Sequence, residues 1–301
     1  MSQGLRDSIL LRTKILQAIR AFFDQRGFTE VETPILLPYI IPEAHIDAIR
    51  TDEGYLHTSP ELCMKMLLDR GYGNIFQICK CFRKGERGTL HLPEFTMLEW
   101  YHLGIDYNGL MDECELLIYT ICKEVVNKEG IIYKGNSIDL TLPWDRISLK
   151  DAFLRYASVS LEDAIKQDIF EEIMVKEVEP RLGINRPVFV KDYPASMAAL
   201  SKISCADPGI SERFELYICG LELANGYTEL TDIKEIKERL DNENRKRALM
   251  GKDRYPIPKG FLRLKKIPEC AGIALGIDRL VMLFCNSAGI DEVVALTYEE
   301  I

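Results

Sequence analysis

The stretch that most restricts how this chain can fold runs from Phe76 to Tyr101, FQICKCFRKGERGTLHLPEFTMLEWY. Phe76 to Arg83 and Phe95 to Tyr101 are rich in aromatic and β-type residues, while Lys84 to Leu90 carries Gly85, Gly88 and mixed charges. That pattern predicts two strands joined by a charged, glycine-bearing loop. Strand side chains alternate, so Glu99 and Tyr101 project to one side of the second run, together with Phe95 and Met97. A carboxylate and a phenol then share a surface. Arg83 closes the first run, where a guanidinium can meet a phosphate or carboxylate in bidentate fashion. Taken alone, the pattern equally describes a half-buried hairpin with a solvated Arg and Glu at its end.

Upstream, residues 5–26 place Leu5, Ile9, Leu10, Ile15, Leu16, Ile19, Phe22 and Phe23 at mostly helical spacing, with Gly27 as the stop. Gly27 to Pro34 alternates apolar and polar residues until the proline ends it, which reads as an edge strand. At Ser59-Pro60-Glu61 the residue types are those of a helix start. Residues 108–127 form an amphipathic helical run, and 145–190 carry no chemical motif. The expectation for about 108–190 is a helical insertion within a single domain spanning 1–301. Asp232 to Met250 reads as a charged helix whose basic run, Arg245-Lys246-Arg247, is a solvated face.

The second informative stretch is Glu215 to Glu229, ELYICGLELANGYTE. A two-residue turn at Cys219-Gly220 sets Tyr217 opposite Glu222, with Glu215 on the same face as a diagonal neighbour about 7 Å away. Two convergent carboxylates without a nearby Lys suit a divalent cation such as Mg²⁺; two solvated acids on an exposed hairpin fit the same residues. Asn225, Tyr227 and Glu229 have the opposite parity from Glu222. A β-bulge at Asn225-Gly226 is expected to turn them back to the same face.

Net charge is −9, so no global basic field invites nucleic acid. The nine cysteines form no CxxC pair, and Cys79 and Cys81 fall on one strand face rather than around a metal. A reduced, cytoplasmic protein is expected. No stretch reaches the roughly 18 uninterrupted apolar residues of a membrane span. There is no GxxxxGK[ST] loop, no strand-linked GxGxxG and no kinase signature set, so any bound ATP is held by arginines, metal and sheet.

These residues carry a resemblance. Phe82-Arg83 followed by HLPEFTMLEWY resembles the second signature motif of class II aminoacyl-tRNA synthetases of the lysyl type, and more closely that of the ligases that attach β-lysine to elongation factor P. The helix, strand and Thr33-Pro34 near the N-terminus are similar to the first motif. Ala271 to Arg279, with the apolar run that follows, is similar to the third. The resemblance runs from about residue 5 to 298 with the motifs in order. It implies an α+β fold, a six- or seven-stranded antiparallel sheet flanked by helices, and a two-fold homodimer built on the first motif.

The resemblance also implies a reaction and its residues. A lysine-type carboxylate attacks the α-phosphate of ATP, and (R)-β-lysine passes to the ε-amino group of a lysine of elongation factor P. Catalysis falls to Arg83, Glu222 and Arg279. ATP is bound by Arg83, Lys84, Gly85, Glu86, His91, Glu222, Leu223, Gly276 and Arg279. Mg²⁺ is held by Glu215 and Glu222. The amino acid is bound by Ser59, Glu61, Glu99, Tyr101, Asn225, Tyr227, Glu229 and Ala274. Departures are Gly85, where the family has Glu two residues after the Arg, with Glu86 one later, and Leu92, where Asn is usual. Two features separate the ligase from a tRNA synthetase: Ala274, where lysyl-tRNA synthetases have glycine, and no trace in these residues of an anticodon-binding barrel. On that basis tRNA is not the expected partner. A synthetase paralogue using α-lysine and a non-catalytic regulator are the alternatives.

Overall fold

A computed structural model describes residues 3–301. In chain order the elements are α1 (Gln3–Asp24), β1 (Thr29–Glu30), β2 (Leu36–Leu37), β3 (Tyr55–Leu56), α2 (Glu61–Asp69), β4 (Ile75–Phe82), β5 (Glu94–Leu103) and α3 (Tyr107–Ile121). There follow β6 (Gly130–Tyr133), β7 (Asn136–Asp139), β8 (Asp145–Ser148), α4 (Leu149–Tyr156), α5 (Leu161–Lys166), α6 (Phe170–Ile173) and β9 (Val188–Pro194). The last are β10 (Ile210–Ile218), β11 (Leu221–Thr228), α7 (Ile233–Leu249), β12 (Cys270–Gly276) and α8 (Ile277–Cys285).

One sheet organises the molecule, in the order β1-β4-β5-β12-β11-β10-β9-β8. The six central strands pair antiparallel, and β1 and β8 add a parallel strand at each edge. The expected antiparallel sheet is therefore present but wider than expected. The stretch 108–190 is not purely helical: β6 and β7 form a separate hairpin, β8 completes the sheet edge, and α4–α6 lie between β8 and β9. Ser148 and Ser160 cap α4 and α5 through their hydroxyls.

The two faces of the sheet have different fates. Residues such as Phe76, Leu98, Trp100, Ile273, Leu275, Phe214 and Phe189 point into the main core, which α1, α3 and α8 cover. Helix α1 contributes Ile15, Ile19, Phe22 and Phe23 from one stripe. Phe23 stacks on Phe76 with ring centroids 4.6 Å apart and lies 5.3 Å from Trp100. Gly27 follows the helix with φ +73°, the left-handed backbone that ends it. Arg12 of α1 pairs with Asp278 at the start of α8, and Asp278 accepts the Thr96 amide at 2.6 Å. Helix α1, strand β5 and helix α8 are thereby locked in register. On the opposite face α2 and α7 cover only part of the sheet, around Leu62, Met64, Leu68, Ile236 and Leu240. The remainder is the floor of a recess.

Candidate active site

Strand pairing fixes what lines that floor, because residues paired across neighbouring strands point to the same face. One row runs Gln77, Glu99, Ala274, Asn225, Glu215, and a second runs Ile75, Tyr101, Gly272, Tyr227, Arg213. The turn at Cys219-Gly220 has φ +51° and +73°, positive at both central positions as a type I′ turn requires, and Tyr217 stands opposite Glu222 as expected. The bulge is present but displaced. The register shifts between Leu216 and Tyr217, so Leu223 is the extra residue and Glu222 and Asn225 share a face although three apart. Gly226 serves packing instead: a β-carbon there would lie 2.7 Å from the Phe214 ring and 2.9 Å from Ile273. The Leu223 side chain belongs to the main core, so only its backbone is left for the site.

The first cluster lies between β5, α2 and the end of β11. Glu99, 2% exposed, accepts hydrogen bonds from Tyr101 Oη at 2.7 Å and Ser59 Oγ at 2.7 Å. Ser59 Oγ also accepts from the Glu61 amide, the first of α2, so one oxygen ties the helix start, whose N-cap is Pro60, to Glu99. Glu61 accepts from Tyr227 Oη at 2.7 Å. Burial, and then the Glu61 charge, push Glu99 up to about 8. Burial likewise pushes Glu229 up to about 8, against the pull of Lys65.

Lys65 is the residue the sequence reading missed here. It is fully buried, with its Nζ 2.5 Å from Glu61 and 2.6 Å from Glu229. Burial opposes its charge, but Glu229 and Glu61 outweigh burial and raise its pKa. Glu229, expected to await a substrate ammonium, already faces one supplied by the protein. The i,i+4 spacing of Glu61 and Lys65 was the available signal.

The second cluster is built on Glu215, whose oxygens accept from Tyr193 (2.6 Å), Tyr217 (2.8 Å), Arg213 (2.6 Å) and Asn225 (3.2 Å). The expected acid pair lacking a basic neighbour is corrected on this point, because Arg213, two residues along the same strand face, neutralises Glu215. Glu222 is more open, and its one ion pair among the described residues is with Arg279 Nη1 at 3.6 Å. Burial and then Glu215 raise its pKa, with Arg279 opposing.

The arginines stand at the open end. Arg83 lies over the Phe95 ring at 5.0 Å and 3.8 Å from Glu86, and its buried Nε has no hydrogen-bond partner. Gly85 has φ +79°, so the loop bends there and brings Glu86 back towards Arg83. Lys84 is tied through its amide to the Asp47 carbonyl at 2.7 Å. Arg279 donates to the Glu222 carbonyl at 2.7 Å and to His91 Nε2. Burial and the Arg279 charge lower the His91 pKa, which keeps the ring a neutral acceptor. Gly276 caps α8 beside this group.

Two further findings concern residues read otherwise in the sequence. Arg247, expected on a solvated face, is 1% exposed and bonds the carbonyls of Glu43 and Ile46 and the carboxylate of Asp47. Cys79 and Cys81 gain a neighbour in His57, with Cys81 Sγ 3.9 Å from Nε2, but that nitrogen bonds the Lys80 carbonyl at 2.6 Å.

One sheet thus carries Arg83 and Arg279 towards one end, Glu222 beside Arg279, and a recess lined by Glu61, Glu99 and Glu229. The family model for class II tRNA synthetases (D, K and N) matches residues 1–299. The chain belongs to that family. Among curated relatives, the elongation factor P–(R)-β-lysine ligase of Hamiltonella defensa subsp. Acyrthosiphon pisum (strain 5AT) is 39% identical over 97% of this chain and 95% of its own. The ligases of the same name from Sodalis glossinidius (strain morsitans) and Vibrio atlanticus (strain LGP32) are 38% and 39% identical, covering 97% and 95% of this chain and 95% and 94% of theirs. The expected α+β synthetase-type fold and the ligase resemblance are thus both met. No described helix is long and apolar enough to cross a membrane.

Proposed function

We propose that this member of the class II family activates (R)-β-lysine with ATP and transfers it to the ε-amino group of a lysine of elongation factor P. The observation that carries the substrate class is the charge balance of the recess. Glu61 and Glu229 share the ammonium of Lys65, while Glu99 has only the hydroxyls of Ser59 and Tyr101. Glu99 and Glu229, both pushed up to about 8 by burial, hold protons in the empty recess that incoming ammonium groups can replace. A diamino acid brings two ammonium groups, and its carboxylate reaches towards Arg83. A substrate lacking the distal amine would leave buried carboxylates unmatched, which in polar sites of this kind costs on the order of 10⁴ in discrimination.

In the first step two anions must meet, so neutralising charge is the main demand. Arg83 would hold the α-phosphate and the substrate carboxylate, and Arg279 the terminal phosphate, with His91, Lys84, Gly85, Glu86, the Leu223 backbone and Gly276 lining the nucleotide. The donor set fits a divalent cation that accompanies ATP: the Glu222 carboxylate has only a 3.6 Å approach from Arg279 among the described residues, and burial and then Glu215 raise its pKa, so nearby positive charge would be favoured. Such an ion would neutralise phosphate charge. Glu215, its oxygens filled by protein donors, would orient that end of the sheet. Ala274 sits between Glu99 and Asn225 in the strand register, and its methyl group favours an amine moved from the α- to the β-carbon. A two-fold homodimer through α1 and residues 29–37, and a cytoplasmic location, complete the proposal; Leu10, Ile35 and Leu36 are exposed there.

The test is ATP–pyrophosphate exchange with β-lysine, α-lysine and norleucine, followed by transfer of labelled amino acid to elongation factor P or to tRNA. Exchange is expected with β-lysine above α-lysine and not with norleucine, and label is expected in elongation factor P. Label in tRNA, or exchange indifferent to the distal amine, would overturn the reading.

A further inference from the structure

The recess floor continues beyond Glu99 along β4. Gln77, Cys79 and Cys81 alternate onto one face of that strand, Cys79 opposite Met97 and Cys81 opposite Phe95, and Arg83 follows at its end. Two thiols therefore occupy the floor between Glu99 and the Arg83 guanidinium. The charges of Glu99 and Arg83 both act on Cys81, and that of Cys79 acts on Glu99. Both cysteines are free, Cys81 fully buried and Cys79 partly open.

A third donor comes from elsewhere in the chain. His57, directly after β3, is 0% exposed, and its backbone is fixed by its amide donating to the Ile35 carbonyl and its carbonyl accepting the Phe82 amide. Nε2 lies 3.9 Å from Cys81 Sγ and donates to the Lys80 carbonyl at 2.6 Å, whereas Nδ1 is buried with no hydrogen-bond partner. A buried ring nitrogen left unpaired is unfavourable and calls for a reason. Ligand histidines commonly give one ring N–H to a backbone carbonyl and the other nitrogen to an ion, and the two nitrogens of His57 are divided in that way.

One ligand atom from each of His57, Cys79 and Cys81 lies within 4.8 Å of the other two. The two sulfurs are 3.9 Å apart. Two zinc–sulfur bonds of about 2.3 Å at the tetrahedral angle span about 3.8 Å, so the strand already holds the sulfurs at the separation an ion needs. A disulfide fits less well, because Cα atoms two residues apart on a strand are about 6.6 Å from each other, beyond the distance of about 5.5–6 Å that disulfides prefer. Met97 Sδ, 3.9 Å from Cys81 Sγ, adds a further soft atom. Thiolate, thioether and imidazole donors select a thiophilic cation over Mg²⁺. The hydrogen bond from Cys81 draws the Cys79 thiol down to about 6, against burial, so one sulfur is a thiolate at neutral pH.

We propose that Cys79, Cys81 and His57 form an inhibitory Zn²⁺ site on the floor of the recess. Binding displaces the remaining thiol proton to solvent, and both sulfurs ligate as thiolates. The ion then stands between Glu99 and Arg83, on the line the substrate carboxylate takes to the α-phosphate. The inhibition rests on the proposed function; the binding does not.

Co²⁺ titrated into the reduced, full-length protein without oxygen should develop thiolate-to-metal charge-transfer absorption that saturates at one equivalent per chain and is abolished by Zn²⁺. Cys79→Ser and Cys81→Ser should each weaken Zn²⁺ binding, measured against a chromophoric chelator, by about 100-fold or more, since loss of a group that only supports a ligand already costs about 10- to 100-fold. Cys205→Ser, at an exposed cysteine outside the cluster, should change neither readout. In pyrophosphate exchange, Zn²⁺ should inhibit wild type in competition with the amino acid, whatever the excess of Mg²⁺, and a chelator should restore the rate. Cys79→Ser, scored against its own zinc-free rate, should need about 100-fold more Zn²⁺ for the same inhibition. Should the buried Cys81→Ser fail to fold, Cys79→Ser and the wild-type spectrum carry the same test. A cobalt spectrum without the thiolate band, a band that survives in the cysteine variants, or one lost in Cys205→Ser would overturn the site. Zinc bound through these cysteines with exchange unaltered would overturn its inhibitory role. Wild-type protein that binds Zn²⁺ there but exchanges pyrophosphate with no amino acid overturns the proposed function, and the inhibition with it, while the site itself stands.

Discussion

Gly272→Ala is the sharpest test of how the recess is built. The glycine lies in β12 between Tyr101 and Tyr227 in the register. A β-carbon on it would stand 2.5 Å from Tyr101 Cε1, 2.7 Å from Tyr101 Cδ1 and 2.6 Å from Glu229 Oε1. None of these atoms is the loose end of a flexible chain. Tyr101 is 2% exposed and bonded to Glu99, and Glu229 is 1% exposed and paired with Lys65. The methyl can be accommodated only by displacing both residues, and overpacking of this kind costs about 1–3 kcal/mol. For a chain of 301 residues, unfolding entropy of about 2.1 cal/mol/K per residue makes that a fall in Tm of about 2–5 °C. The effect on chemistry should be larger, because Tyr101 and Glu229 both line the proposed amino-acid pocket: kcat/KM for lysine-type substrate in pyrophosphate exchange should fall at least 100-fold, the scale on which a misplacement of about 1 Å is felt. Gly260→Ala is the control, since a β-carbon there meets only Met66 Cε at 3.7 Å, an ordinary contact. Scanning calorimetry and exchange assays on the two variants decide the matter. Wild-type kinetics from a folded Gly272→Ala protein would refute the claim that this glycine makes room for the pocket.

Other expectations concern the same pocket. Ala274→Gly removes the methyl between Glu99 and Asn225 and should move the α- to β-lysine ratio of kcat/KM towards α-lysine by about 10-fold, within the range one methyl group commands. Glu99 and Glu229, raised from 4.5 to about 8, hold more protons folded than unfolded between those pH values, so ligand-free stability should fall as pH climbs from 4.5 through 8. An incoming ammonium needs the ionised form, so substrate affinity should rise about fivefold per group from pH 7 to 8; thermal shifts with and without β-lysine should show a falling baseline and a growing increment. Lys65→Met leaves Glu61 and Glu229 without their cation and should cost about 3–5 kcal/mol at pH 8 in denaturant unfolding, and less at pH 5, where Glu229 is protonated.

How far these features could be read from the sequence depends on the distance over which each is determined. The β4–β5 hairpin and the sharing of a face by Glu99 and Tyr101 follow from the two-residue period of a strand. Tyr217 opposing Glu222 follows from a turn whose two residues both take positive φ. The bulge was required by the chemistry of Asn225, Tyr227 and Glu229, but its place was not written locally. Leu223 carries no bulge signal, and the glycine that seemed to mark one, Gly226, answers to Phe214 and Ile273 on strands either side.

Strand β8 escaped notice because its strand partner among the described residues, β9, follows three helices later. The cations were hidden for the same reason: half of the Lys65 pairing comes from the far end of β11, and Arg247 became visible only when residues 43–47 folded against α7. A motif names the groups that meet substrate, whereas the opposing charges that set their protonation arrive from elsewhere in the chain. With Lys65 counted, three acids of the recess already have one protein ammonium among them, and that is the balance the proposed diamino substrate would meet.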